Sequence, residues 1–139
     1  MLQALDISAS ALEAQRLRME VVTNNMANAE TTRATRGPDG AWQPYRRRQV
    51  VFQAMLEGSA GSKAGGVRVD HVEEDPSDFR KVFNPHDVDA DADGYVKMPN
   101  VDPLMEMVDL MEASRAYEAN VTAMEATKSI VASSLRILA

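Results

Sequence analysis

Apolar residues recur at both ends of this chain in alternating steps of three and four, and the stretch between the ends lacks that rhythm. From Met107 the stripe runs through Leu110, Ser114, Tyr117, Val121, Met124, Lys128, Val131, Leu135 and Leu138, and is apolar except at Ser114 and Lys128. Such steps, about 3.5 residues on average, put one line of side chains along one side of a helix, the seam of a coiled coil. The start is marked as well. Asp102 is placed to accept hydrogen bonds from the first free N–H groups, and Pro103 at the first helical position has no N–H to leave unpaired. Glu106 and Asp109 fall near the positive end of the helix dipole and Arg136 near its negative end. With no Gly or Pro after Pro103, the pattern predicts one helix over 102–139, about 50 Å long. A small globular core cannot cover that length, so the helix needs further partners.

The N-terminal end repeats the logic. The same alternation gives Met1, Leu5, Ser8, Leu12, Gln15, Met19, Val22, Met26 and Ala29, with Ser8 and Gln15 the polar exceptions, while Asp6, Glu13, Arg16, Arg18 and Glu20 fall off the line. Matching seams at the two ends predict mutual packing. One narrow stripe over nearly thirty residues does not offset the entropy of ordering them. Both ends are therefore expected to be loosely ordered in a lone chain and fixed on assembly. Thr23 to Thr32 is rich in Asn and Thr, poor helix formers. It reads either as a helix fraying into a turn or as amides making fixed contacts to neighbouring backbone.

From Arg33 the character changes. Arg36-Gly37-Pro38-Asp39-Gly40 is dense turn chemistry. Trp42 to Met55, with Tyr45, Val50, Val51 and Phe52, suits an extended segment, and Val67-Arg68-Val69-Asp70 suits a strand paired with it. Gly58 to Gly66 reads as a mobile loop. Arg46-Arg47-Arg48 reads first as a solvated strand face and second as a charged contact to an acidic neighbour. Phe79, Val82 and Phe83 form an apolar cluster before Asn84-Pro85. The expected fold class is mainly α: long N- and C-terminal helices packed as a coiled coil, with a small β-rich middle insert. The expected divisions are 1–32, 33–101 and 102–139.

Composition narrows the function. A net charge of −6 and a pI near 4.9 argue against a nucleic-acid partner. The absence of cysteine removes disulfides, thiol catalysis and cysteine-ligated metals. Nine methionines against one Trp, three Tyr and three Phe favour adaptable helix seams over a large rigid core. No apolar run approaches the ~18 residues of a membrane span. The start reads as no secretory signal, because it lacks a basic lead and Asp6 and Glu13 interrupt its apolar run.

Asp89-Ala90-Asp91-Ala92-Asp93-Gly94 matches the first half of a calcium-binding EF-hand loop. The twelfth position, which should hold a bidentate Glu, is Asn100 after Pro99, and Asn84-Pro85 precludes an entering helix. The segment therefore reads as an acidic turn before an extended Tyr95-Val96-Lys97-Met98, with a calcium-regulated module as the alternative. His71 and His86 lie in no ligand or nucleophile motif, and there is no phosphate loop or nucleophile elbow. No catalytic residue, cofactor or metal site is expected.

Ala11-Leu12-Glu13-Ala14-Gln15-Arg16-Leu17-Arg18-Met19, continuing through Asn24-Asn25-Met26-Ala27-Asn28-Ala29-Glu30-Thr31-Thr32, resembles the N-terminal signature of the bacterial flagellar rod and hook proteins. Asp93-Gly94-Tyr95-Val96, Pro99-Asn100-Val101-Asp102, Glu106-Met107-Val108-Asp109 and Ser114-Arg115-Ala116-Tyr117-Glu118-Ala119-Asn120-Val121 resemble their C-terminal signature. The short middle is similar to that of the proximal-rod members. The resemblance implies a structural subunit of the basal-body rod, exported unprocessed through the flagellar type III apparatus and assembled helically in the periplasm to transmit motor torque. Implied partners are other copies of the chain, other rod proteins, and the adjacent ring and export-gate components. The expected assembly seam is Leu5, Leu12, Met19, Val22 and Met26 against Met107, Leu110, Tyr117, Val121, Met124, Val131, Leu135 and Leu138. A soluble helical-hairpin adaptor or export chaperone is the reading from another class.

Overall fold

The computed structural model describes residues 2–38, 40–55 and 65–138, without the side chains of Leu2, Ile137 and Leu138. Two helices account for the patterned ends: α1, Leu2–Ala27, and α2, Pro103–Leu138. The start of α2 is built as its sequence predicts. Asp102 Oδ1 accepts the Leu104 N–H at 2.9 Å, and the Asp102 carbonyl accepts from Glu106 N–H. At 36 residues α2 is about 54 Å long. α1 ends within the Asn-rich segment, after Ala27. Asn28 N–H reaches back to Asn24 and Asn25 carbonyls, its side chain bonds Asn24 O, and Thr31 N–H bonds Asn28 O to turn the chain.

The helices pack antiparallel. Asn25 meets Glu106, while Arg18, two turns earlier on α1, meets Asp109 and Glu112 further along α2. Continued at 1.5 Å per residue on both helices, that register brings Leu2 level with about residue 128 of α2. Among the described residues, the last ten or so of α2, about 15 Å, therefore extend past the start of α1.

The intervening chain forms three antiparallel strand pairs. β1, Thr35–Arg36, pairs with β2, Trp42–Gln43, across the Gly- and Pro-rich turn, with the Arg36 guanidinium over the Trp42 ring. β3, Arg48–Met55, pairs with β4, Gly66–Glu74, with a bulge between Val51 and Phe52. This is the pairing expected of the Val67–Asp70 strand. Of the Gly58–Gly66 loop reading, residues 58–64 lie outside the described residues, while Gly66 opens β4. β5, Arg80–Phe83, pairs with β6, Tyr95–Met98, and brings the Phe83 and Tyr95 rings edge to face at 5.3 Å. Gly94, at φ +80°, makes the approach possible, since a Cβ there would sit 3.0 Å from the Phe83 ring.

α1 packs against α2, β3 and β4, so it buries more than the single stripe its hydropathy shows. The buried apolar residues are small: Ala14, Val21, Val22, Ala29, Val96, Val101 and Ala113. Among the described residues the largest fully buried side chains are Glu106, Asn25 and Pro99. A carboxylate and an amide are thus among the most deeply buried side chains.

Candidate functional site

Asn25, on the last full turn of α1, behaves like an extra strand. Its Oδ1 accepts the Arg48 N–H at 3.0 Å and its Nδ2 donates to the Arg48 carbonyl at 2.8 Å. The amide therefore satisfies the start of β3 as a neighbouring peptide would. The same group donates to Glu106 Oε2 at 2.9 Å and accepts from the Tyr45 hydroxyl at 3.0 Å. Of the two readings of the Asn-rich segment, fixed contact to backbone holds at Asn25, while Asn28 turns the chain.

Glu106 receives a second ligand from the middle segment. Arg47 Nε bonds its Oε1 at 2.5 Å, and the same guanidinium reaches Asp109 at 3.2 Å and Asp75 at 3.6 Å. Arg18 of α1 closes the ring on Asp109 at 3.1 Å. Asn100, just before α2, accepts the Arg47 N–H at 2.7 Å and donates to Ser77 Oγ at 2.9 Å. Burial by itself would lower the Arg47 pKa. The hydrogen bond to Glu106 and the charges of Glu106, Asp109 and Asp75 outweigh it, and the group stays protonated. Burial pushes the Tyr45 hydroxyl upward. Hydrogen bonds from Ser77, with help from Arg47, hold the Asp75 carboxyl below its ordinary range. α1, β3 and the start of α2 are thereby tied at one point by groups whose bonds are all directional, which fixes one arrangement of the three.

The basic run is thus not a uniform solvated face. Arg47 lies inside the junction. Arg46 donates to the Asp75 and Ser77 carbonyls and covers the Phe79 ring at 4.3 Å. Only Arg48 is left exposed, over Tyr45. Nothing local to either segment places Arg47 on Glu106, 59 positions away. The available hint is that Glu106 falls one residue from the apolar stripe.

Two carboxylates of the acidic turn, Asp89 and Asp91, are engaged by protein groups. Asp91 Oδ1 accepts the N–H groups of Asp93 and Tyr95, and Asp89 is held by Arg33 and Thr32. Among the described residues no cluster of three or more His, Asp or Glu is placed to hold a metal ion. His71 and His86 are exposed.

Most stripe residues are partly covered within the single chain. Leu5, Leu12, Met19, Met26, Leu110, Tyr117, Val121, Met124 and Val131 are half-buried and Val22 is buried. Met107 and Leu135 are 48% and 62% exposed, and the Leu138 side chain lies outside the described residues. Along α2 the inward line runs Glu106, Leu110, Ala113, Tyr117, Asn120, Met124, Thr127, Val131, Ser134. It shares every second member with the hydropathy stripe and sits one residue before it at the others. Leu104, Met107, Val108 and Met111 form an exposed apolar patch on the opposite face of the helix. Outward apolar side chains on this scale mark an interaction surface.

Comparison with known proteins identifies relatives of the chain. Residues 5–35 match the family model described as flagella basal body rod protein, and residues 92–137 that described as flagellar basal body rod FlgEFG protein C-terminal. The chain is 50% identical over 144 residues to the flagellar basal-body rod protein FlgC of Bacillus subtilis, covering 96% of this chain and 95% of that one. It is 47% identical over 137 residues to the protein of the same name from Yersinia enterocolitica, covering 99% and 97%. Against that from Salmonella typhimurium it is 44% identical, with the same coverage.

Proposed function

Since the chain belongs to the FlgC family of flagellar basal-body rod proteins, it is a structural subunit of the rod and not an enzyme, and we propose that it works by stacking its two helices into a torsionally stiff proximal segment of that rod. Basal-body placement follows from the family. The finer reading is an unprocessed subunit, exported through the type III apparatus and assembled helically in the periplasm. It would contact its own copies, other rod proteins, and the neighbouring ring and export-gate components.

The observation that carries this reading is the half-wet seam. Leu5, Leu12, Met19 and Met26 on α1 and Leu110, Tyr117, Val121, Met124 and Val131 on α2 remain partly exposed, and Met107 and Leu135 largely so, in a chain whose own core is small. Many such seams closed in parallel as coiled coils would resist twist, and the junction at Arg47 and Glu106 would pass load from the middle insert to both helices. Leu12→Asp and Met124→Asp each place a charge on the seam, where burial costs several kcal/mol. Loss of rod assembly and swimming is expected from either. Normal swimming by both variants would overturn the seam.

A further inference from the structure

We infer that Met105, Met107 and Met111 form an oxidation site: peroxide converts their thioethers to sulfoxides in the free chain, and the oxidised chain is refused by the growing rod. The inference rests on the rod-subunit reading and adds to it a chemical condition for incorporation.

Thioethers are the groups of this chain most open to a two-electron oxidant. It has nine methionines and no cysteine, so no thiol competes for peroxide. Met1 lies outside the described residues, and Met19, Met26, Met55, Met98 and Met124 are half-buried. Met105, Met107 and Met111 are instead 58%, 48% and 48% exposed, and all three fall within the first turns of α2. Met107 and Met111 lie one turn apart on the same side of the helix, with Leu104 and Val108 completing the apolar patch. The clustering matters. One sulfoxide on a mixed surface changes little, whereas two or three within one apolar patch replace it with strong dipoles.

The site is separable from the fold. On the inner side of the same turns Glu106 is held by Arg47 and Asn25, and Asp109 by Arg47 and Arg18. No thioether takes part in those bonds, so the helix keeps its place when the outer sulfurs change. In the reaction a sulfur lone pair attacks one oxygen of hydrogen peroxide. The S–O bond forms as the O–O bond breaks, and the second oxygen leaves as hydroxide and takes the proton of the new S–OH. Sulfur is oxidised by two electrons and peroxide is reduced, giving one sulfoxide and one water for each peroxide consumed. A thiol-dependent sulfoxide reductase reverses the change. Covering an S=O group without a donor costs free energy, so a neighbour that closes over the patch selects against the oxidised chain. Once that neighbour is in place, the sulfurs are out of reach of peroxide.

The first test uses the purified full-length chain, treated with dilute hydrogen peroxide and digested for mass spectrometry. Sulfoxide should appear at Met105, Met107 and Met111 about tenfold faster than at Met19, Met26, Met55, Met98 or Met124, with circular dichroism unchanged. Equal rates at all of these, or loss of helix as the outer three are oxidised, would overturn the site. Cells building flagella are then given peroxide, and the chain in their basal bodies is compared with the unassembled pool. Sulfoxides at Met107 and Met111 should be present in the pool and depleted in the basal bodies, and equal frequency in both would overturn the exclusion. A variant carrying Met105→Leu, Met107→Leu and Met111→Leu separates exclusion from simple shielding, with each strain scored against its own untreated culture. Peroxide should reduce the number of new flagella far less in the variant than in the unsubstituted strain, and an equal reduction would refute the gate. Should that variant fail to assemble, the comparison of pool and basal bodies decides. Absence of the unsubstituted chain from basal bodies of untreated cells would overturn the rod reading itself.

Discussion

Asn25 and Glu106 are fully buried, and each is bound on more than one side. Removing the amide with Asn25→Ala leaves the Arg48 N–H and carbonyl, the Tyr45 hydroxyl and one Glu106 oxygen short of a partner. A loss of about 2–4 kcal/mol in urea unfolding is expected, since each buried group left unpaired costs about 1–3 kcal/mol. Asn25→Asp should be worse, because it sets a second carboxylate against Glu106. The outer carboxylates give a pH dependence. Hydrogen bonds from Ser77 and the nearby Arg47 hold Asp75 below its ordinary 3.8, and the hydrogen bond from Arg33 does the same for Asp89. The folded state therefore releases these protons more readily than the unfolded chain. Their contribution is complete above the ordinary value and is lost as pH falls through the lower native values. Stability followed by circular dichroism should decline below about pH 4, less steeply in Asp75→Asn. His71 runs the other way. The hydrogen bond to Asp70, with Glu73 beside it, raises its pKa, so its contribution is present below 6.5 and lost as pH rises through the higher native value. Part of this junction is legible in the sequence: the second reading of the basic run, a charged contact to an acidic neighbour, holds at Arg47, and the reading of the amides as backbone ligands holds at Asn25. Which carboxylate Arg47 meets is not legible, because the contact with Glu106 spans the chain.

At the scale of the elements, much more can be read. The cap at Asp102, the uninterrupted α2, the β3–β4 pairing and the extended Tyr95–Met98 segment follow from local rules that the structure obeys. The one-residue offset between the hydropathy stripe and the inward face of α2 has a physical cause. The inner positions include Ala113, Asn120 and Thr127, small or polar residues that allow close helix approach but carry no hydrophobic signal. Hydropathy therefore points to their larger neighbours. The docking of β4 on α1 depends on a feature no pattern reveals. Gly66 has φ +150°, and a Cβ there would lie 2.6 Å from Ser10 Oγ. Gly66→Ala should destabilise the chain by about 1–3 kcal/mol. Adding Ser10→Ala should return the steric share of that loss and leave the share due to φ, as read from thermal melts of the two variants.

Over the whole molecule, the divided character of α2 is the important result. Its first half is locked to α1 and the insert, while its last turns extend past their neighbour with an unfinished seam. That division is hidden in the sequence, where the repeat runs evenly to the end. It emerges only when the antiparallel register shows where α1 stops. The family signatures, by contrast, are legible at both ends and lead to the same class of protein as the comparisons. A lone chain leaves its seams partly wet, and the proposed function has assembly close them. Hydrogen exchange of α2 in the free chain and in purified basal bodies tests this most directly. Amides of the Glu106–Tyr117 stretch should be protected in both states. Those beyond about residue 128 should exchange fast in the free chain and become strongly protected on assembly. Equal protection of the tail in both states would contradict the account.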